Sequence, residues 1–183
     1  MNLTEKTVSK NYVYKGRIIN VRCDDALLPD GKPCKREVVE HNGGVCIAPI
    51  TDDGKLIFVR QFRYPYSEVI LELPAGKLEL GEDPFKAGKR ELEEETGMVA
   101  AEYFDFGKFY PSPGYCGEII YLYAAKGLSG THMHPDDDEF LEVDKISIAD
   151  AVEMVMNGEI RDGKTQALVM RVAEMLRRAG GEV

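Results

Sequence analysis

The sequence predicts an α+β fold in which a mixed β-sheet is sandwiched between helices. Eighteen glycines and nine prolines separate many short apolar runs, a pattern typical of strands joined by turns. One helix is predicted near the middle of the chain, and two more are predicted toward its C-terminal end. A chain of 183 residues is long enough for one ordinary domain with a small N-terminal addition.

The N-terminal part of the chain is predicted to form a β-hairpin or a small antiparallel sheet. The segment from Asn11 to Cys23 is rich in β-branched and aromatic residues, and Pro29-Asp30-Gly31 then favours a turn. Further strands are predicted at residues 36–41, 44–50, 55–61 and 69–73. Asp53-Gly54 lies between two of these strands and favours a hairpin turn. We therefore divide the chain into a β extension at residues 1–42 and a main domain at residues 43–183.

The three helices are predicted from end signals and apolar spacing. Asp83-Pro84 favours a helix start, because Asp accepts hydrogen bonds from free backbone N–H groups and Pro suits the first helical position. Gly97 favours the end of that helix. The two later helices are predicted at residues 148–157 and 164–179, and strands are predicted at 102–106, 118–125 and 140–146.

Charge and composition argue against several functional classes. The formal net charge of −9 opposes binding to a nucleic-acid backbone, and no stripe of Lys and Arg changes that balance. No apolar stretch is long enough for a transmembrane helix, and residues 1–10 lack the apolar run of a secretory signal. We therefore expect a cytoplasmic protein that binds neither nucleic acid nor membrane. Four widely spaced cysteines favour buried thiols over zinc ligands or disulfides.

Acidic residues on the first predicted helix are the most informative feature of the sequence. Glu91, Glu94 and Glu95 have the spacing of side chains that share one helix face. At roughly 100° per residue, Glu91 and Glu95 fall on the same side as Phe85 and Leu92, which is the apolar face. Partly buried carboxylates repel each other unless a cation lies between them. This pattern predicts a site for a hard divalent metal ion.

The alternative interpretation is a solvated acidic face, which is the usual meaning of a Glu-rich helix. That interpretation requires the charges to lie opposite the apolar stripe, and here Glu91 and Glu95 lie on it. It does fit Glu93, which is predicted to point outward. For Glu82 and Arg90 we expect a mutual ion pair that braces the preceding loop against the helix.

The same stretch resembles the signature of a known enzyme family. Gly76 is followed after five residues by Glu82 and after seven more by Arg90-Glu-Leu-Glu-Glu-Glu-Thr-Gly-Met98, which is similar to a complete Nudix box. The resemblance implies the Nudix fold and hydrolysis of a nucleoside diphosphate linked to another moiety. It also implies that Gly76 supports the loop of the box.

Carried over by position, the resemblance implies a set of metal ligands. Glu91 and Glu95 are expected to bind the ion, together with the backbone carbonyl of Ala75. Glu94 is expected to be a further ligand or a contact to a second metal, and so to take part in catalysis. Such oxygen ligands suit Mg²⁺, and Mn²⁺ can substitute for it. Metal ions bridging a diphosphate would neutralise its charge and activate a water molecule.

Segments outside the box carry the choice of substrate. Residues 59–65, 72–76, 110–114 and 36–41 resemble segments of bacterial ADP-ribose pyrophosphatases, and the similarity covers most of the chain. Pro113 lies sixteen residues after Gly97, a position that distinguishes this subfamily from dinucleoside-polyphosphate hydrolases. We therefore expect hydrolysis of ADP-ribose to AMP and ribose 5-phosphate. A hydrolase of another nucleoside diphosphate sugar such as GDP-mannose is the alternative, and a non-catalytic ADP-ribose sensor is a further one.

The same segments supply candidate substrate-binding residues, with Pro113 among them. Arg63 is a candidate phosphate contact, because a guanidinium can bind two phosphate oxygens at once. Arg36 and Glu72 are further candidates, although structural ion pairs would explain them equally well.

The general base that activates water is expected to lie outside the metal ligands. Carboxylates bound to a metal have lowered basicity, so a separate carboxylate is needed to activate water. Related ADP-ribose hydrolases carry an acidic loop that supplies a Glu for this purpose, and the run Asp136-Asp137-Asp138-Glu139 resembles it. We expect Glu139 to be the base, with Asp136 and Asp138 as alternatives.

Because the resembling enzymes exchange N-terminal β elements between subunits, we expect residues 1–42 to mediate a homodimer.

Overall fold

A computed structural model of the chain describes residues 2–135 and 139–180. It divides into two compact units. The first comprises Met1–Gly43 together with Tyr110–Ile119, and the second comprises Gly44–Phe109 together with Ile120–Val183. Among the described residues no helix has both the length and the apolar character needed to cross a membrane.

The N-terminal unit contains a four-stranded antiparallel sheet centred on one long strand. Its strands are β1 (Lys6–Ser9), β2 (Tyr12–Lys15), β3 (Ile19–Leu27) and β4 (Pro33–His41). β1 pairs with the C-terminal part of β3 and β2 with its N-terminal part, whereas β4 pairs with β3 along its whole length. The predicted turn at Pro29-Asp30-Gly31 joins β3 to β4, and Gly31 takes the positive φ of 85° that a glycine allows.

A segment from much later in the chain joins this unit. Residues 110–119 pair with β4, where the Val39 amide donates to the Tyr115 carbonyl (2.8 Å) and the Gly117 amide donates to the Val39 carbonyl (2.9 Å). This segment contains Pro113. The sequence division at residue 42 did not include it, because pairing between distant segments leaves no local pattern.

The larger unit is built on two β-sheets. One sheet has the order β8-β5-β10-β9 and the other the order β11-β6-β7. β5 and β10 run parallel and the remaining pairs are antiparallel, so the predicted mixed arrangement is confirmed. The strands are β5 (Gly44–Pro49), β6 (Lys55–Arg63), β7 (Glu68–Glu72), β8 (Ala75–Lys77), β9 (Met98–Phe109), β10 (Ile120–Gly130) and β11 (Leu141–Ser147).

Within the described residues, three helices flank these sheets at the predicted places. They are α1 (Pro84–Thr96), α2 (Ile148–Met156) and α3 (Gly163–Arg178). The Asp83 side chain caps α1 by accepting a hydrogen bond from the Lys86 amide (3.0 Å). Gly97 ends the helix in the left-handed conformation, with φ of 64°. Local end signals therefore predicted α1 to the residue.

The core lies on both faces of β5, which places the sheet between the helices. Successive side chains of a strand point to opposite faces. Val45 and Ile47 pack in a cluster with Leu92 of α1, whereas Cys46 packs in a second cluster with Leu168 of α3. The predicted sandwich of a sheet between helices is confirmed.

The turn at Asp53-Gly54 differs from the prediction in one respect. The Thr51 amide donates to the Lys55 carbonyl (2.8 Å) and Gly54 has a φ of 76°, so a tight turn does form. The two strands nevertheless enter different sheets, and only one isolated bridge, between Ile50 and Leu56, connects them. β5 cannot form a hairpin with β6 because both of its edges are occupied by β8 and β10.

Candidate active site

Two buried carboxylates on α1 form the centre of the site. Glu91 and Glu95 are 6% and 1% exposed, as their place on the apolar helix face predicted. The side chain of Glu94 is more open, at 23% exposure. α1 therefore presents Glu91 and Glu95 inward, toward the sheet on which it packs.

Strand β8 supports both carboxylates through its backbone. The Ala75 amide donates a hydrogen bond to Oε2 of Glu95 (3.0 Å). A side chain at Gly76 would place its Cβ 1.9 Å from Oε1 of Glu91, so any larger residue would force that carboxylate to move. The residues named by the resemblance at this strand thus lie beside the acids of the helix.

Burial gives these carboxylates abnormal proton affinities. The pKa of Glu91 is raised to about 7, chiefly by desolvation and also by the nearby charge of Glu94, against the opposing effect of Arg90. The pKa of Glu95 is likewise raised to about 8, chiefly by desolvation and then by the charge of Glu91. The two groups therefore repel each other and lack sufficient positive charge nearby. A hard divalent cation would relieve both effects.

Arg90 occupies the open side of this cluster. Its Nη1 lies 2.8 Å from Oε1 of Glu91 and donates to Oε2 of Glu94 (2.7 Å). Its Nε donates to Oε1 of Glu82 (3.1 Å), so the ion pair expected between loop and helix is present. Arg90 thereby links the loop before α1 to two carboxylates of the helix itself.

The donors present fit a divalent metal ion in chemical type. Carboxylate oxygens and a backbone carbonyl are the ligands that hard cations prefer. Within residues 2–135 and 139–180, no group of three or more His, Cys, Asp or Glu side chains is gathered closely enough to hold an ion. Glu94 is paired with Arg90. Glu91 and Glu95 are thus the two acids whose environment favours a cation.

Glu139 belongs to the electrostatic surroundings of the same carboxylates. Its charge raises the pKa of both Glu91 and Glu95. The segment before it is tied to the end of α1, where the Thr131 amide donates to the Gly97 carbonyl (2.7 Å) and the His134 amide to the Glu94 carbonyl (3.1 Å). Sequence reasoning did not anticipate this attachment. The alternative bases Asp136 and Asp138 lie outside the described residues.

Arg63 and Glu72, predicted separately as substrate contacts, are paired. Nε and Nη2 of Arg63 donate to the two carboxylate oxygens of Glu72, at 2.6 and 2.8 Å. Glu72 is 2% exposed and also contacts Nζ of Lys164 on α3. The positive charge of Arg63 also lowers the pKa of Glu95, one of the candidate metal ligands. Sequence reasoning missed Lys164, whose partner Glu72 lies 92 positions away in the chain.

The other two predicted substrate residues belong to the N-terminal unit. Arg36 of β4 donates to the carboxylate of Glu5 through Nε (2.9 Å) and Nη2 (2.6 Å). Pro113 lies in the segment that pairs with β4. Arg36 therefore forms an ion pair with Glu5, which is the structural alternative to substrate binding that the sequence left open for it.

Comparisons with known proteins agree with this geometry. Residues 40–168 match the model of the NUDIX domain, and residues 5–39 match that of the nucleoside diphosphate sugar hydrolase N-terminal domain. The chain is 43% identical to an ADP-ribose pyrophosphatase of Bacillus subtilis, over 90% of both chains. It is 41% identical to a methanol dehydrogenase activator of Bacillus methanolicus, over 88% of both chains. A GDP-mannose pyrophosphatase of Yersinia pestis is 33% identical, over 73% of this chain and 72% of the relative.

A solved structure supports the fold independently. The crystal structure of an ADP compounds hydrolase superposes with a TM-score of 0.86 and covers 98% of both chains, at 22% sequence identity. At this identity the likeness concerns the fold. Together with the matches above, it agrees with the mixed sheet between helices described for the larger unit.

The close approach of Gly76 to Glu91 generates a first prediction. In Gly76→Ala the new Cβ would displace the Glu91 carboxylate, so the affinity for Mn²⁺ should fall roughly tenfold to a hundredfold, the usual effect of disturbing groups that orient a ligand. Electron paramagnetic resonance measures free Mn²⁺ during a titration. Gly130→Ala is the matched control, because no atom lies within 4 Å of its added Cβ. Equal Mn²⁺ affinity in both folded variants would contradict the placement of Glu91 at the metal.

Proposed function

Because the chain belongs to the NUDIX family and is a Nudix hydrolase, we propose that it hydrolyses the diphosphate bond of ADP-ribose to AMP and ribose 5-phosphate in a Mg²⁺-dependent reaction. Mn²⁺ is expected to substitute for Mg²⁺. The observation that carries the proposal is the pair of buried, insufficiently compensated carboxylates at Glu91 and Glu95 beside the backbone of Ala75.

Each part of the proposed reaction is assigned to particular groups of the chain. Glu91, Glu95 and the Ala75 carbonyl would hold the ion, and Glu94 would join them on releasing Arg90. When bound, the ion supplies positive charge to the diphosphate and acidifies water. Burial of Glu91 and Glu95 keeps bulk water from weakening these charge interactions.

The remaining roles concern the substrate and the attacking water. Arg63 is proposed to bind a phosphate, oriented by its two hydrogen bonds to Glu72. Arg36 and Pro113 are proposed as further substrate contacts. Glu139 is proposed to remove a proton from water, which its electrostatic coupling to both Glu91 and Glu95 supports.

ADP-ribose is preferred over other nucleoside diphosphate sugars because of the relatives. The relative that is 43% identical is an ADP-ribose pyrophosphatase, and the match to it covers most of both chains. GDP-mannose is the second candidate, because a GDP-mannose pyrophosphatase is 33% identical over most of both chains. Both substrates present the same diphosphate to the same carboxylates, so they differ only in the groups that flank it.

The second prediction tests the reaction itself. Purified protein with Mg²⁺ should convert ADP-ribose to AMP and ribose 5-phosphate, and removal of Mg²⁺ with EDTA should abolish turnover. Chromatography of a panel that includes ADP-ribose, GDP-mannose and other nucleoside diphosphate derivatives identifies the products. Faster cleavage of GDP-mannose would change the substrate assignment alone. No turnover on any member of the panel would overturn the proposed enzyme activity.

The third prediction concerns the base. Glu139→Gln should keep folding and Mn²⁺ binding but lower kcat by about a hundredfold or more, the usual scale for loss of a general base. Glu142→Gln, on an exposed position of β11, is a control that removes the same charge nearby. Near-normal kcat in Glu139→Gln, with collapse in Asp136→Asn or Asp138→Asn, would assign the base to that residue instead. Near-normal kcat in all three would leave the base to the carboxylates of α1.

We also propose that the protein is a homodimer formed through the N-terminal unit. β2 exposes large apolar side chains, with Tyr12, Val13 and Tyr14 at 44%, 67% and 57% exposure. Exposed apolar side chains of this kind on a short strand favour contact with another protein surface.

The fourth prediction follows from the proposed dimer. Light scattering should give twice the chain mass of 20.4 kDa at micromolar concentration. Val13→Lys combined with Tyr14→Lys should shift the protein toward the monomer, because charges at these apolar positions would be buried in the interface without partners. Lys6→Glu with Lys10→Glu is a control on the same unit that changes charge without altering the apolar side chains of β2. A monomeric mass for the unmodified protein would refute the proposal.

A further inference from the structure

The first turn of α3 is fixed against strand β7 by two adjacent residues. Nζ of Lys164 contacts Glu72, and it lies 3.0 Å from Oδ2 of Asp162. Thr165 is fully buried, and its Oγ1 accepts a hydrogen bond from the Leu73 amide (2.9 Å). Two consecutive residues of the helix thus hold the last residue of β7 and the residue that follows it, shortly before the Ala75–Gly76 backbone of the candidate metal site.

The charged side chains in this region differ in their exposure to solvent. Glu72 is 2% exposed and receives both Arg63 and Lys164. The Lys164 side chain is only 11% exposed and lies between two carboxylates, whereas the Arg63 side chain is 36% exposed. Of the two cations, Arg63 is therefore the one that a dissolved anion can reach.

A buried carboxylate that has only one cationic partner holds that partner tightly. Without Lys164, the negative charge of Glu72 would be neutralised by Arg63 alone. With Lys164, a second positive charge neutralises Glu72, and the Arg63 guanidinium keeps attraction for an incoming anion. Its planar fork also stays oriented by the two hydrogen bonds to Glu72.

We propose that Lys164 is a positioning residue, which neutralises Glu72 and so leaves Arg63 able to bind a phosphate group of the substrate. This inference rests on the proposed function. Lys164 acts through Glu72 and Arg63 and does not touch the substrate.

A purely structural role for Lys164 makes a different forecast. Thr165 and the Asp162 cap, which accepts from the Thr165 amide (2.9 Å), attach α3 independently of the lysine. If Lys164 only fastened the helix, its loss would lower the unfolding temperature without a selective change in affinity for anions. The two roles are therefore separated by comparing affinity, kcat and stability in the same variants.

The fifth prediction uses two variants with opposite expected signs. Lys164→Met should raise the Kd for ADP and the KM for ADP-ribose about tenfold, the scale of one charge-assisted contact, and leave kcat within about twofold. Asp162→Asn keeps the helix cap but removes the second carboxylate that Lys164 contacts, so that Lys164 neutralises Glu72 alone. This variant should lower the Kd for ADP and the KM for ADP-ribose by about twofold. Calorimetry with ADP in magnesium buffer gives Kd, steady-state rates give KM and kcat, and thermal melts report folding.

The pair Lys55–Asp53 supplies the matched controls. These residues form an ion pair (2.8 Å) at the opposite end of β6 from Arg63. Lys55→Met and Asp53→Asn change the net charge by the same amounts as the test variants. Both should leave the Kd for ADP unchanged, which excludes an effect of overall charge on an anionic ligand.

The outcomes separate this inference from the function on which it rests. Absence of both ADP binding and turnover in the unmodified protein would overturn the proposed function and the inference with it. Normal turnover with unchanged Kd and KM in Lys164→Met, or a fall in kcat and unfolding temperature alone, would overturn only the inference. If Lys164→Met does not fold, Asp162→Asn decides: tighter ADP binding supports the role of Lys164, and unchanged or weaker binding overturns it.

Discussion

Burial of two carboxylates on the apolar face of one helix is the constraint on which the rest of the site depends. Glu91 and Glu95 lose most of their hydration when α1 packs on the sheet, and the charge of Glu91 adds to the cost of ionising Glu95. The surrounding backbone is adapted to this pair. The Ala75 amide donates to Glu95, and the missing side chain of Gly76 makes room for Glu91. Neighbouring elements therefore accommodate an unfavourable arrangement that the fold alone does not require.

Glu72 is a buried carboxylate of the same unit whose charge is neutralised by neighbouring cations. Burial alone would raise the pKa of Glu72, yet the hydrogen bond from Arg63 and the charge of Lys164 lower it below the ordinary value. Glu72 is as deeply buried as Glu95, but it has two cations of its own. Depth of burial is thus a poor guide to a metal ligand. The balance of charge separates the acids that need an external cation from those that do not.

The parts of this structure that the sequence predicted are those with local causes. α1 follows from the Asp83 cap, Pro84 and Gly97, and the inward direction of Glu91 and Glu95 follows from helical spacing. The turn at Gly54 was also predicted, but the strands it joins were assigned to one hairpin. Whether two strands pair depends on which other strands occupy their edges, and no residue within the turn carries that information.

The same limit explains why the sequence pointed to Arg63 as a candidate and not to Lys164. Arg63 stands in a segment that resembles a known pattern, whereas Lys164 opens a helix as an ordinary polar residue would. Its role exists only because the strand order brings the end of β7 against the first turn of α3, where Thr165 accepts from the Leu73 amide. A lysine with most of its side chain buried between Glu72 and Asp162 has no freedom to meet a ligand itself. Its charge acts instead on Glu72, the carboxylate that orients Arg63, and on the proposed role of Arg63 it therefore influences substrate affinity without contacting the substrate.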